Sequence, residues 1–121
     1  MSEKTTLVVG ASTNERRYSN MAVRLLTEYN HKIYAFGLKE DFIDSIKIHT
    51  KWPEKGSIDT VTMYIGVSRQ KDIYDNLTTL SPRRVIFNPG TENAELAQIL
   101  KNNDIEVVMK CSLIMLQGGI Y

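Results

Sequence analysis

Thr6-Leu7-Val8-Val9 is an unbroken apolar run, rich in β-branched side chains and closed by Gly10. A strand with one wet face alternates apolar and polar residues. A continuous run of this kind therefore belongs to a strand covered on both faces, as the strands of parallel sheets are. Runs of similar character return at Lys32-Ile33-Tyr34-Ala35-Phe36, Thr60-Val61-Thr62-Met63-Tyr64-Ile65, Arg84-Val85-Ile86-Phe87 and Ile105-Glu106-Val107-Val108-Met109. Helical spacing separates them. Ala22, Leu25, Leu26 and Tyr29 fall at i, i+3, i+4 and i+7, with Ser19 as the expected N-cap and Asn30 as a left-handed residue after the last turn. Ser68 is expected to cap a helix carrying Ile73, Leu77 and Leu80 on one face, and Ser81-Pro82 to stop it. Glu92 to Asn102 reads as a helix with Leu96, Ile99 and Leu100 inward, acids in its first turn and Lys101 in its last, as the helix dipole favours.

Strands alternating with helices imply a doubly wound α/β fold: one domain over residues 1–121, with a five-stranded, mainly parallel sheet and helices on both faces. Gly37 to Asp59 does not fit the alternation. It holds a short apolar pattern (Phe42, Ile43, Ile46, Ile48), then Trp52-Pro53 and Gly56. Structureless loops of that length are uncommon in compact domains, so a short strand, a helical turn or a covering loop is expected there.

A net charge of +1 provides no field that would hold a long nucleic acid or an anionic membrane, so any anion must be bound locally. Cys111 is the only cysteine, which excludes an internal disulfide and fits a reducing compartment, the cytoplasm. No apolar run approaches the ~18 residues of a membrane span. Met1-Ser2-Glu3-Lys4-Thr5 runs into the first strand with no signal-peptide pattern.

In doubly wound sheets a ligand sits beyond the carboxyl ends of the strands, beside the first one. The loops after Val9, Phe36, Ile65 and Phe87 are therefore the candidates. The first, Gly10-Ala11-Ser12-Thr13-Asn14-Glu15-Arg16-Arg17-Tyr18-Ser19, leads into a helix N-terminus, where exposed N–H groups and the dipole attract anions. Gly10 lets backbone approach a phosphate, Ala11 and Ser12 are small, and Arg16 and Arg17 supply charge-assisted bonds. A side chain at Gly10 is expected to block that approach while the sheet survives. The plain alternative stays open: a turn glycine, a capping Ser19 and two solvated arginines. The dinucleotide fingerprint G-x-G-x-x-G is absent, since Ser12 and Glu15 occupy its second and third glycine positions, and no acid ends the second strand.

Val9-Gly10-Ala11-Ser12 followed by Arg17-Tyr18-Ser19 and a helix resembles the opening of small stand-alone CoA-binding domain proteins, which are themselves similar to the CoA-binding domain of the succinyl-CoA synthetase α subunit. His31-Lys32-Ile33-Tyr34, Asp59, Asn88-Pro89-Gly90-Thr91-Glu92-Asn93, and Ile105-Glu106-Val107-Val108 before Cys111 extend the likeness over nearly the whole chain. Each motif is short, and their order and spacing make the match. The resemblance implies a Rossmann-like fold holding CoA, with its phosphates at Gly10, Ala11, Ser12, Arg17 and Tyr18. It also implies that Ile65-Gly66-Val67 lines the ligand and that Lys39 pairs with charge near the second strand. The sequence departs from the family after that strand, where Ala35-Phe36-Gly37-Leu38 replaces a stretch usually like Pro-Val-Asn-Pro, and in having no proline after the third strand.

The expected cofactor-binding set is therefore Gly10, Ala11, Ser12, Arg16, Arg17, Tyr18, Ser19, Lys39, Gly66 and Val67, with no metal. For catalysis the candidates are few. His31 belongs to the turn before the second strand, at the wrong end of the sheet. His49 lies in the unread segment with nothing paired to it, and Cys111 reads as a packed small side chain. Trp52 and Tyr64 read as core aromatics, with stacking on adenine as the alternative, and Leu113 to Leu116 with Ile120 and Tyr121 as core closure or a dimer contact. The expectation is a non-catalytic CoA or acyl-CoA binding module, alone, as a homodimer or as a partner subunit of an enzyme. The alternatives are an NAD(P)-binding domain, an enzyme subunit, or a scaffold that has lost its ligand.

Overall fold

The central strand β1 (Thr5–Val9) pairs in parallel with β2 (Lys32–Phe36) on one side and β5 (Thr60–Met63) on the other. Its side chains alternate between two separate cores. Leu7 and Val9 pack with Val61, Met63, Leu77, Phe87 and Leu96, whereas Val8 packs with Val23, Leu26, Ala35 and Leu116. Both sides are sealed, which is why the run carries no polar alternation. Each such aliphatic side chain withdrawn from water contributes roughly 1.5–3 kcal/mol.

The computed structural model describes residues 4–121. Met1-Ser2-Glu3, the start expected to carry no leader, lies outside the described residues. The chain continues through α1 (Tyr18–Glu28), β3 (Asp41–Ile43), β4 (Ile46–His49), α2 (Val67–Gln70), α3 (Tyr74–Leu80), β6 (Arg84–Phe87), α4 (Ala94–Asn102), β7 (Glu106–Met109) and α5 (Ser112–Gln117). Sheet order is β3-β4-β2-β1-β5-β6-β7, and only the β3–β4 pairing is antiparallel. The doubly wound α/β class holds, but the sheet has seven strands, not five. The two additional strands come from the unread segment: Asp44, at φ 52°, turns the chain so that Phe42 pairs with Lys47 and Ile43 with Ile46. Ile43 and Ile48 join the α1 side of the core, while Phe42 remains 59% exposed.

Three helix starts differ from expectation. Ser19 does not cap α1: Arg17 holds that position with no side-chain bond, and Ser19 lies inside the helix, buried. The buried face is correspondingly Ser19, Ala22, Val23 and Leu26, with Tyr29 exposed. Ser68 does not cap the next helix either, because the turn begins at Gly66, and the helix breaks into a 3₁₀ turn at Lys71–Ile73 before α3. The third helix begins at Ala94, where Asn93 Oδ1 accepts from Leu96 N–H at 3.1 Å. Glu92 stays outside it, its carboxylate accepting from Gly90 N–H at 2.8 Å. Asn30 and Ser81 take the left-handed conformation after α1 and α3.

Candidate functional site

A cleft of about 470 Å³ opens at the carboxyl ends of the strands. Val9 of β1 stands level with Phe36 of β2 and Met63 of β5, so three loops leave the sheet side by side. The loop after β1 is fixed by backbone: Gly10 and Ala11 both donate to Phe36 O, at 2.9 and 3.0 Å. Asn20 in α1 reaches back and donates to Ser12 O at 2.9 Å. A Cβ on Gly37 would lie 2.5 Å from Ala11 O. That approach accounts for a glycine in the stretch after β2, where the resemblance would place larger residues.

The entrance to α1 supplies unsatisfied donors. An arginine N-cap has no side-chain acceptor, and the first turn contains no acid. The N–H groups of Ser12 and Thr13, and those of Tyr18 and Ser19 in the first helical turn, have no acceptor among the described residues. Arg17, Lys39 and Arg69 line the cleft against a single acid, Asp41. A positive helix end, free N–H groups and surplus cations are the donor set an oxyanion requires.

Of the expected set, Gly10, Ala11, Ser12, Arg17, Tyr18, Ser19, Lys39 and Gly66 border the cleft, while Arg16 and Val67 do not. The Ser19 hydroxyl is buried with no partner, so the expectation of a capping Ser19 is corrected. The expectation for Gly10 also changes. At φ 95°, a Cβ there would stand 2.9 Å from Ile65 Cγ2, so a side chain would strain the fold besides narrowing the site.

Sequence reasoning marked the loops after Phe36 and Phe87 as candidates but named no binding residue in Leu38, Asp41, Arg69 or the Pro89-Gly90-Thr91 turn, all of which line the cleft. Asp41 and Leu38 were hidden by the unread hairpin. Arg69 lay behind the misplaced helix start. The turn after β6 is held by a buried polar web: Asn88 Nδ2 donates to Thr62 Oγ1 and Met63 O, and Gln70 Nε2 donates to both Ile65 O and Thr91 O.

Of the remaining candidates, only Tyr64 borders the cleft. His31 meets the Tyr121 ring edge-on at the amino ends of the strands. His49 stacks on Tyr34 at 4.4 Å, and Trp52 meets Phe36 edge-on at 5.0 Å. Tyr64 borders the cleft, but its hydroxyl is buried without a hydrogen-bond partner. Burial pushes its pKa up to about 12, outweighing the opposing pull of the Thr62 and Ser112 hydroxyls. Cys111 is half-buried before α5 and does not border the cleft.

Residues 4–117 match the model of the CoA binding domain family. The chain belongs to that family. No curated protein matches. Among solved structures, an uncharacterized protein is 39% identical over the whole of both chains, with a TM-score of 0.93. A Thermus thermophilus protein is 20% identical, covers 98% of this chain and 91% of its own, and has a TM-score of 0.83. A hypothetical protein from Pyrococcus horikoshii OT3 is 17% identical with a TM-score of 0.85, over 98% of this chain and 84% of its own. These last two likenesses concern the fold. Among the described residues no helix is long and apolar enough to cross a membrane.

Proposed function

We propose that this CoA-binding domain holds CoA or an acyl-CoA without transforming it, acting as a carrier, sensor or subunit. Family membership over residues 4–117 supports the choice of ligand. The observation that carries the reading is the uncapped entrance to α1 facing a cleft with three cations and one acid. In this reading the pyrophosphate lies against Gly10, Ala11 and Ser12 and the first turn of α1, with Arg17 neutralising charge. Gly66 leaves room for the rest of the ligand, since a Cβ there would meet nothing within 4 Å. The histidines and Cys111 stand outside the cleft, so no side chain in this chain is assigned nucleophilic or acid–base work.

An NAD(P) ligand is the natural comparison, because Asp41 gives the cleft one carboxylate suited to a ribose diol. A ligand that binds only the native state raises the melting temperature by mass action. CoA is expected to raise it and NAD to leave it unchanged. No shift at millimolar CoA beside a clear shift with NAD would overturn the proposal, and mass spectrometry of ligand carried through purification would identify the bound species.

A further inference from the structure

Arg69 is the cleft cation that neither the sequence motifs nor the family match assigns, and its position follows from the winding of the sheet. β1 and β5 are adjacent and parallel, with Val9 level with Met63. The connection from β1 passes to the face that packs Val23 and Leu26 of α1. The connection from β5 passes to the opposite face, packing Ile73, Leu77 and Leu80. Arg17, at the entrance to α1, and Arg69, in α2, therefore stand on opposite walls of one crevice at the point where the winding reverses.

The backbone carrying Arg69 is held in place. Arg69 N–H donates to Gly66 O at 3.0 Å. The adjoining Gln70 is fully buried and donates to Ile65 O and Thr91 O at 2.9 and 2.8 Å, while accepting from Asn93 Nδ2 at 3.0 Å. The guanidinium itself has no acidic partner among the described residues. A planar fork mounted on an anchored turn, with its charge uncompensated and lining the same cleft as Arg17, suits an anion bound between the two. A guanidinium binds a phosphate through paired charge-assisted hydrogen bonds.

Resting on the CoA reading above, we infer that Arg69 is the second arm of a two-sided clamp on the pyrophosphate, closing over the anion that the α1 entrance and Arg17 hold from the other wall. Arg69 is then a ligand-binding residue of the β5 connection. It distinguishes CoA from ligands lacking a pyrophosphate.

The test is calorimetric titration of the whole chain and of Arg69→Gln with two ligands, CoA and dephospho-CoA, which share the pyrophosphate and differ in the ribose 3′-phosphate. Loss of one charge-assisted contact is expected to weaken both ligands equally, by about tenfold. Arg69→Lys should recover part of that loss. Arg69 is exposed and makes no side-chain bond, so an unchanged melting temperature without ligand is expected and separates lost contact from lost fold. Equal affinity of parent and variant for both ligands would overturn the clamp. A loss confined to CoA would also overturn it, by placing Arg69 at the 3′-phosphate. Failure of the parent itself to bind either ligand would be seen first and would overturn the CoA reading and the clamp with it, whereas loss of the clamp alone leaves parent binding intact.

Discussion

A Cβ on Gly10 would stand 2.9 Å from Ile65 Cγ2 and 3.2 Å from the Tyr64 carbonyl carbon, on a backbone at φ 95°. On Gly66 it would meet nothing within 4 Å. The two glycines border one cleft for different reasons, and substitution separates them. Gly10→Ala is expected to cost about 1–3 kcal/mol in denaturant unfolding, from left-handed strain and the forced contact together. Gly66→Ala should stay within about 0.5 kcal/mol of the parent and weaken CoA in titration, because its methyl enters the cleft. The sequence showed a glycine ending an apolar run, which was enough to mark the turn at Gly10. The packing of Ile65 against it could not be seen before the loops were placed side by side. Tyr64 presents a similar case. Its folded pKa of about 12 lies above the ordinary tyrosine value of 10.0, so the native state retains the phenolic proton more tightly. The corresponding stability is fully present below pH 10 and is lost as pH rises towards 12. Tyr64→Phe is expected to remove that alkaline loss in a pH series of unfolding curves. At neutral pH it should cost little, since the buried oxygen has no partner to abandon.

Among the elements, the parallel strands and the body of α4 were readable because their signals are local. An unbroken apolar run marks a strand covered on both faces, and Leu96, Ile99 and Leu100 followed by Lys101 mark the body of α4, although the helix starts after Asn93 and not at Glu92. The β3–β4 hairpin was not readable. Its strands are three and four residues long, joined through Asp44-Ser45 without the Asn-Gly or Asp-Gly pair that announces a tight turn. Its order comes from Ile43 and Ile48 packing on the α1 side, a long-range effect. The start of α1 also departs from its local signal. Ser19 is the better cap by propensity, but the helix begins at Tyr18 after an arginine that caps nothing, leaving N–H groups without an acceptor among the described residues. α4 shows the opposite arrangement: Asn93 caps Leu96 N–H while its amide donates to Gln70 Oε1 and Tyr74 Oη. Asn93→Ala removes the cap and strips Gln70 of a buried donor. A loss of about 2 kcal/mol is expected in chemical denaturation, larger than for an exposed cap.

The strand axis divides the molecule into two working ends. At the carboxyl ends lie the uncapped helix, the cations and the open glycines, an arrangement that leaves polar groups unsatisfied. At the amino ends the polar groups are paired. Tyr121 Oη and Thr6 Oγ1 lie 2.7 Å apart, Arg84 stands 4.8 Å above the Tyr121 ring, and Arg83 forks onto Asp59 at 2.9 and 3.0 Å. Arg83 holds the Asp59 carboxyl below the usual range. The stability tied to that pair is therefore present above the ordinary carboxylate pKa and is lost as pH falls through the lowered one. Because the Arg83 side chain is half open to water, solvent screens the pair and its contribution is small, at most about 1 kcal/mol. This separation of ends predicts that stability and binding come apart along the axis. Tyr121→Phe loses the Thr6 contact but keeps the ring under Arg84 and beside His31. It is expected to lower unfolding free energy by about 1 kcal/mol and leave the CoA dissociation constant unchanged. Arg17→Gln, at the other end, is expected to leave unfolding of the free protein within about 0.5 kcal/mol of the parent while weakening CoA, since its side chain makes no cap bond. Combining the two tests the independence directly: sites this far apart with no shared partner should add to within about 0.5 kcal/mol in both readouts. If Tyr121→Phe instead changed CoA affinity, the sheet would be transmitting strain between its ends, and the carboxyl-end cleft could not be treated as a site built only from its own loops.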